Sequence, residues 1–180
     1  TDEVMGYRFD RKRIVLDARF VAFPSPPGAG PRHMAAHPRL PLWYLASEMG
    51  NTVTVLKPHP DGHLEQLQIL STLPADFTAF SKLAQITINR LGTRLYISNR
   101  GHNSVAVFAI GTDGSLALLQ HCPSGGADPR FFLLLEDFSR VIVANEKSGN
   151  LALLHVAGDG TLQPTGKTLA VAGALYIGRV

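Results

Sequence analysis

Three Asp-Gly pairs, Asp61-Gly62, Asp113-Gly114 and Asp159-Gly160, punctuate the chain at spacings of 52 and 46 residues. Each follows an alternating apolar run: Val53-Val55, Val105-Val107-Phe108, and Leu151-Leu153-Leu154. Each precedes a short leucine-bearing stretch: Leu64-Glu65-Gln66-Leu67, Leu116-Ala117-Leu118, and Leu162-Gln163-Pro164. Two extended runs flanking Asp-Gly form a hairpin, because glycine supplies the positive φ that the tight turn demands. Two more extended runs stand upstream of each hairpin. They are His33-Met34-Ala35-Ala36 with Trp43-Tyr44-Leu45-Ala46, Ala84-Gln85-Ile86-Thr87-Ile88 with Arg94-Leu95-Tyr96-Ile97-Ser98, and Arg130-Phe131-Phe132-Leu133-Leu134 with Val141-Ile142-Val143-Ala144. Each unit is therefore four antiparallel strands, repeating about every 46–52 residues, the period of a β-propeller blade.

The expected fold is all-β: a propeller of four-stranded antiparallel blades at 30–75, 76–125 and 126–170. Residues 1–29 read as the end of a preceding blade, with Asp10 and the basic trio Arg11-Lys12-Arg13 in its hairpin turn. Residues 171–180 read as one more, closing inner strand. Propellers close their ring with about four to eight blades. Three whole units and two partial ones lead us to expect the rest of the ring from an N-terminal half or from a second chain.

Composition narrows the function classes. Apolar residues are 45% and charged residues 17%, the opposite of a disordered chain. The net charge is only +3, and the basic residues are scattered apart from the one trio, so no nucleic-acid partner is expected. No apolar run approaches the roughly 18 residues of a membrane span, so no membrane partner is expected either. Cys122 is the only cysteine and cannot form an internal disulfide, which favours a reducing, cytoplasmic compartment.

Aligning the units on their hairpins places Ser47, Asn99 and Asn145 six residues before Val53, Val105 and Leu151. Glu48, Arg100 and Glu146 follow directly. Polar pairs that end the same strand in every blade gather at one rim of the ring. Acid, base and acid at one mouth make an anionic-substrate or acid/base site; on the residues alone, repeated turn capping is an equal reading. Gly30-Pro31-Arg32-His33 and Asp128-Pro129-Arg130 stand at corresponding blade entrances. There proline fixes the backbone, and arginine offers a planar fork to a carboxylate or phosphate, or pairs with acids to bind blades together. His33/His37 and His59/His63 are spaced i, i+4, which joins metal ligands only on a helix, and Pro38, Pro58 and Pro60 oppose helices there. No metal and no cofactor are expected. His102, within Asn99-Arg100-Gly101-His102-Asn103, is expected to face the channel.

These segments resemble the lactonase family of seven-bladed propellers, of the 6-phosphogluconolactonase and 3-carboxy-cis,cis-muconate lactonizing enzyme type. The likeness lies in Gly28-Ala29-Gly30-Pro31-Arg32-His33-Met34-Ala35, Glu48 with Asn51-Thr52-Val53-Thr54-Val55, and Ser71-Thr72-Leu73-Pro74. It continues in Tyr96-Ile97-Ser98-Asn99-Arg100-Gly101-His102-Asn103-Ser104, Pro129-Arg130 and Val143-Ala144-Asn145, in register with the family's C-terminal half. The resemblance implies about half of a seven-bladed ring, with a metal-free site at the channel mouth that takes small anionic lactones or carboxylates. It implies Glu48 and Arg32 as catalytic residues and Arg100 as an anion binder, with His33 and His102 nearby; a further catalytic histidine of the family belongs to an earlier blade. Asn99, Arg130, Asn145 and Glu146 complete the expected substrate-binding set. Glu146 stands where the family usually has Gln, and the family's Pro-Ser/Asp-Gly turn is replaced by His37-Pro38-Arg39-Leu40 and Glu136-Asp137-Phe138-Ser139. Hydrolysis of a phosphorylated sugar lactone is the leading expectation. Carboxymuconate lactonization at the same site, and a non-catalytic binding scaffold, are the competing ones.

Overall fold

A computed structural model of the chain describes residues 2–10, 12 and 15–178. Strands β1 (Glu3–Asp10) and β2 (Val15–Pro24) form a two-stranded antiparallel hairpin. Three four-stranded sheets follow. The first holds β3 (Pro31–Ala36), β4 (Trp43–Ser47), β5 (Thr52–Pro58) and β6 (Leu64–Ser71). The second holds β7 (Lys82–Ile88), β8 (Arg94–Arg100), β9 (Ser104–Ile110) and β10 (Leu116–Pro123). The third holds β11 (Pro129–Leu135), β12 (Arg140–Asn145), β13 (Asn150–Val156) and β14 (Leu162–Ala170). Every sheet is an antiparallel meander in chain order, and the three first strands lie beside one another as the inner strands of consecutive blades. A single 3-10 turn, Glu136–Phe138, is the one helical element among the described residues, and none of them lies in a helix able to cross a membrane.

The blades stack face to face, so the middle strands are buried on both sides and read as nearly continuous apolar runs. In β8 and β9, Leu95, Ile97, Ala106 and Phe108 pack against Tyr44, Val53 and Val55 of the first blade. The intervening Tyr96, Val105 and Val107 pack against Phe132, Val141 and Val143 of the third. A smaller cluster of Phe23, Leu45 and Leu56 joins the β1–β2 hairpin to the first blade. Outer strands carry solvent on much of their surface: β10 is mostly exposed or half-buried while β9 is almost wholly buried.

The Asp-Gly pairs are hairpin turns of one geometry. Asp61, Asp113 and Asp159 each accept the amide of the residue two places on, at 2.9, 3.0 and 2.9 Å, and Gly62, Gly114 and Gly160 take φ of 95, 84 and 83°. Aspartate supplies the side-chain acceptor and glycine the left-handed backbone, so both residue types are required.

Two expectations meet the structure differently. Residues 171–178 join no ladder with another described strand, and a closing inner strand there would pair with a blade outside the described residues. Tyr176 instead rests on Phe131 with ring centres 4.5 Å apart. Arg11, Arg13, Arg179 and Val180, parts of the expected basic turn and closing strand, lie outside the described residues.

Candidate active site

Each inner strand carries a β-bulge just after its first residues. The register shifts fall between Pro31 and His33, between Leu83 and Ile86, and between Pro129 and Phe131. A bulge re-aims the side chains beside it, and here those are Arg32, Ala84 with Gln85, and Arg130. In the second blade the position of the arginine is taken by Ala84, which leaves room at the mouth for a long side chain from the neighbouring strand. Arg100, at the end of β8, occupies it.

Glu48 follows β4 and sits between two guanidinium groups. Arg100 Nη2 donates to Glu48 Oε1 at 2.5 Å and to the Leu83 carbonyl at 3.0 Å. Arg32 Nε lies 3.4 Å from Glu48 Oε2, and Arg32 Nη1 donates to the Ala84 carbonyl at 2.6 Å. The Arg100 side chain is only 9% exposed and that of Glu48 31%, so the pair is largely shielded while the carboxylate keeps one side open. Arg100 Nε is buried without a partner among the described residues, a cost of about 1–3 kcal/mol that the ion pair offsets. Arg32 Nη2 and Arg100 Nη1 make no hydrogen bond to another described residue. Burial pulls the Arg32 guanidinium below its usual value, opposed by Glu48 and reinforced by the charges of Arg100 and Arg130. Arg130 Nη1 holds Glu146 at 3.2 Å, the same within-blade pairing as Arg32 and Glu48, in a more exposed setting.

His33 lies against Arg32 Nη1, with Nδ1 at 2.9 Å, and against Gln85 Oε1 at 3.1 Å. Both contacts fall on Nδ1, which accepts from the arginine when unprotonated or donates to the Gln85 oxygen when protonated, but not both at once. Burial, then the Arg32 charge, lowers His33 below the usual histidine value.

The remaining expected residues are placed elsewhere. Asn99 and Asn145 have no exposed surface. Asn99 Nδ2 donates to the Thr72 carbonyl at 2.9 Å while its Oδ1 accepts from Thr72 Oγ1 at 2.8 Å, and Asn145 Nδ2 donates to the Ser124 carbonyl at 3.2 Å. Both amides tie down the chain where it leaves one blade for the next, and they present no surface at the rim. His102 turns away from Glu48. Its Nδ1 meets Ser104 Oγ at 2.7 Å, and its ring packs edge-on against Phe77 and His121. Cys122 is buried, and burial pushes its thiol up to about 11, so it is no nucleophile at neutral pH.

Sequence reasoning missed Gln85, Ala84 and the blade-linking Tyr44 and Tyr96. The tyrosines were findable, since both stand three residues before the aligned Ser47 and Asn99. Ala84 and Gln85 carried no signal, because a backbone carbonyl freed by a bulge leaves no mark on residue type.

Three successive four-stranded blades, with a carboxylate held between two arginines beside their inner strands, define part of a β-propeller. The chain belongs to the lactonase family of seven-bladed β-propellers, whose family description, Lactonase, 7-bladed beta-propeller, matches residues 1–178. It is 37% identical over 131 residues to the 6-phosphogluconolactonase of Bacillus subtilis, covering 72% of this chain and 38% of that protein. It is 33% identical over 152 residues to the 6-phosphogluconolactonase of Enterobacter sp. (strain 638), covering 83% and 46%. The periplasmic gluconolactonase of Pseudomonas aeruginosa has the same structure over 96% of this chain and 49% of its own, with a TM-score of 0.88 at 27% identity. A solved protein from Lactobacillus plantarum matches with a TM-score of 0.87 at 32% identity, over 97% and 51%. The chain spans less than half the length of those two curated relatives.

Proposed function

We propose that this chain carries the Glu48–Arg32–Arg100 cluster of a lactonase that opens a phosphorylated sugar lactone by hydrolysis. The clamped, one-side-open carboxylate of Glu48 supports the reading most directly. Water attacks the lactone carbonyl carbon while Glu48 takes one of its protons, a general-base role. The carbonyl oxygen becomes an oxyanion, which Arg32 Nη2 and Arg100 Nη1, unbonded to other described residues, stabilise with their N–H groups. When the tetrahedral intermediate collapses, the bond from the carbonyl carbon to the ring oxygen breaks. The ring oxygen leaves as a hydroxyl, with the proton returned from Glu48. The names of the relatives support a 6-phosphogluconolactone as substrate, and the reducing compartment inferred from the single cysteine remains part of the proposal.

The test is steady-state hydrolysis of 6-phosphogluconolactone by the whole protein. Glu48→Gln keeps an acceptor for Arg100 but removes the base, and kcat should fall at least ~100-fold. Arg32→Ala removes an oxyanion donor and should cost about 10²–10³ in kcat. Unchanged kcat in both folded variants would overturn the assignment. Lactonization of a carboxymuconate with no lactone hydrolysis would move the same residues to the isomerase reading, and no turnover of either would favour a binding scaffold.

A further inference from the structure

Building on that lactonase reading, we propose that the phosphate of the substrate is held by Lys82 and Lys147, in a cleft between the entrances to the second and third blades. The cleft has a volume of about 440 Å³ and is lined by Phe80, Lys82, Arg100, Asp128 and Lys147 among others. Arg100 belongs to both places: it lines the cleft and its Nη2 grips Glu48. A ligand whose carbonyl meets the Glu48 cluster therefore has this cleft as its neighbour.

The charges at the mouth say why the phosphate would go there. Arg32 and Arg100 are both engaged by Glu48, and Arg130 by Glu146. With those guanidiniums committed to Glu48, Glu146 and the developing oxyanion, a second anionic group on the ligand needs further cations. Lys82 and Lys147 form no ion pair among the described residues, and Asp128 is the one carboxylate lining the cleft, so the lysines outnumber it. Lys82 is also steadied: its Nζ stands 5.3 Å from the centre of the Phe80 ring, a cation–π contact that limits its wandering. Lys82 aligns with Gly30 and Asp128 in the other blades, so this basic pair is not part of the repeat but particular to one junction.

Titration calorimetry on the whole protein, with 6-phosphogluconate and gluconate as probes, reads the phosphate contribution without requiring turnover. The wild type should bind the phosphorylated acid at least ~10-fold more tightly. Lys82→Ala/Lys147→Ala should erase that preference while leaving gluconate affinity within about twofold. Lys57→Ala/Lys167→Ala removes two exposed lysines elsewhere and should preserve it. Equal binding of the two acids by the wild type, a preference that survives in Lys82→Ala/Lys147→Ala, or its loss in the control pair would each overturn the assignment. Parallel assays with the phosphorylated and plain lactones keep the two readings apart. Absence of all turnover sinks the lactonase reading, whereas the calorimetry still decides the subsite.

Discussion

Glu48 owes its setting to two arginines that reach it from different blades, and replacing it shows how much is structural. Arg100 is nearly buried, and a buried guanidinium stripped of its carboxylate costs about 3–5 kcal/mol. Glutamine leaves an oxygen for Arg100, which is why it separates chemistry from stability better than alanine. The histidines near the site are read through pH. Burial and the Arg32 charge lower His33, and burial and the nearby His121 lower His102. Each therefore binds its proton more readily in the unfolded chain. Their contribution to stability is full above the unfolded value of about 6.5 and is lost as pH falls toward the folded values. The urea midpoint should drop between pH 7 and pH 5, and His33→Gln/His102→Gln should flatten that drop. An identical pH slope in the variant would remove these two imidazoles from the account.

At the scale of the element, the strands and hairpins are local and the clasps between blades are not. Tyr44 donates to the carbonyl of Gly114 at 2.9 Å, and Tyr96 to that of Gly160 at 2.8 Å, so a tyrosine in the second strand of the first and second blades reads the Asp-Gly turn of the next blade. Gln68 and Gln120 repeat the theme, each exchanging two hydrogen bonds with the backbone of Leu116 or Leu162. Burial pushes both tyrosine hydroxyls up to about 12, so they remain donors at any physiological pH. Tyr44→Phe keeps the packing and deletes one clasp. It should cost about 1 kcal/mol in urea unfolding, and more if the Gly114 carbonyl is left without water. No measurable loss would mean that the clasp is incidental. The turn at His37, which departs from the family's pattern, is rebuilt rather than lost. His37 Nδ1 accepts the amides of Arg39 and Leu40 at 3.1 and 2.8 Å, as Asn89 Oδ1 accepts those of Thr93 and Arg94 in the next blade.

For the whole molecule, the open question is what covers the last sheet. Ile142 stands where the first two blades have Tyr44 and Tyr96, and with Leu151, Leu153 and Leu169 it forms an apolar face with no blade of this chain upon it. Leu169 is 64% exposed, and a contiguous apolar sheet face in water invites association. By itself the 180-residue chain should self-associate, with a sedimentation coefficient that rises with concentration. A strictly monomeric species up to high concentration would show that this face needs no partner.

The residues alone carried the strand count, the hairpins and the blade period, because turn chemistry and strand patterning act over a few neighbours. Asp-Gly specifies its turn wherever it stands, and runs such as Val105-Ala106-Val107-Phe108 have nowhere to go but a core covered on both faces. They also marked Glu48, Arg32 and Arg100 as charged groups at strand ends. Only the tertiary structure decided which of these meet. Bulges and the curvature from one blade to the next bring Arg100 across to Glu48 and Arg32 to the Ala84 carbonyl. The same curvature buries Asn99 and Asn145 under the blade connections, turns His102 toward His121, and brings Lys82 and Lys147 to the walls of one cleft. The site forms at junctions between sheets, where residues far apart in sequence approach, and no local pattern encodes that approach.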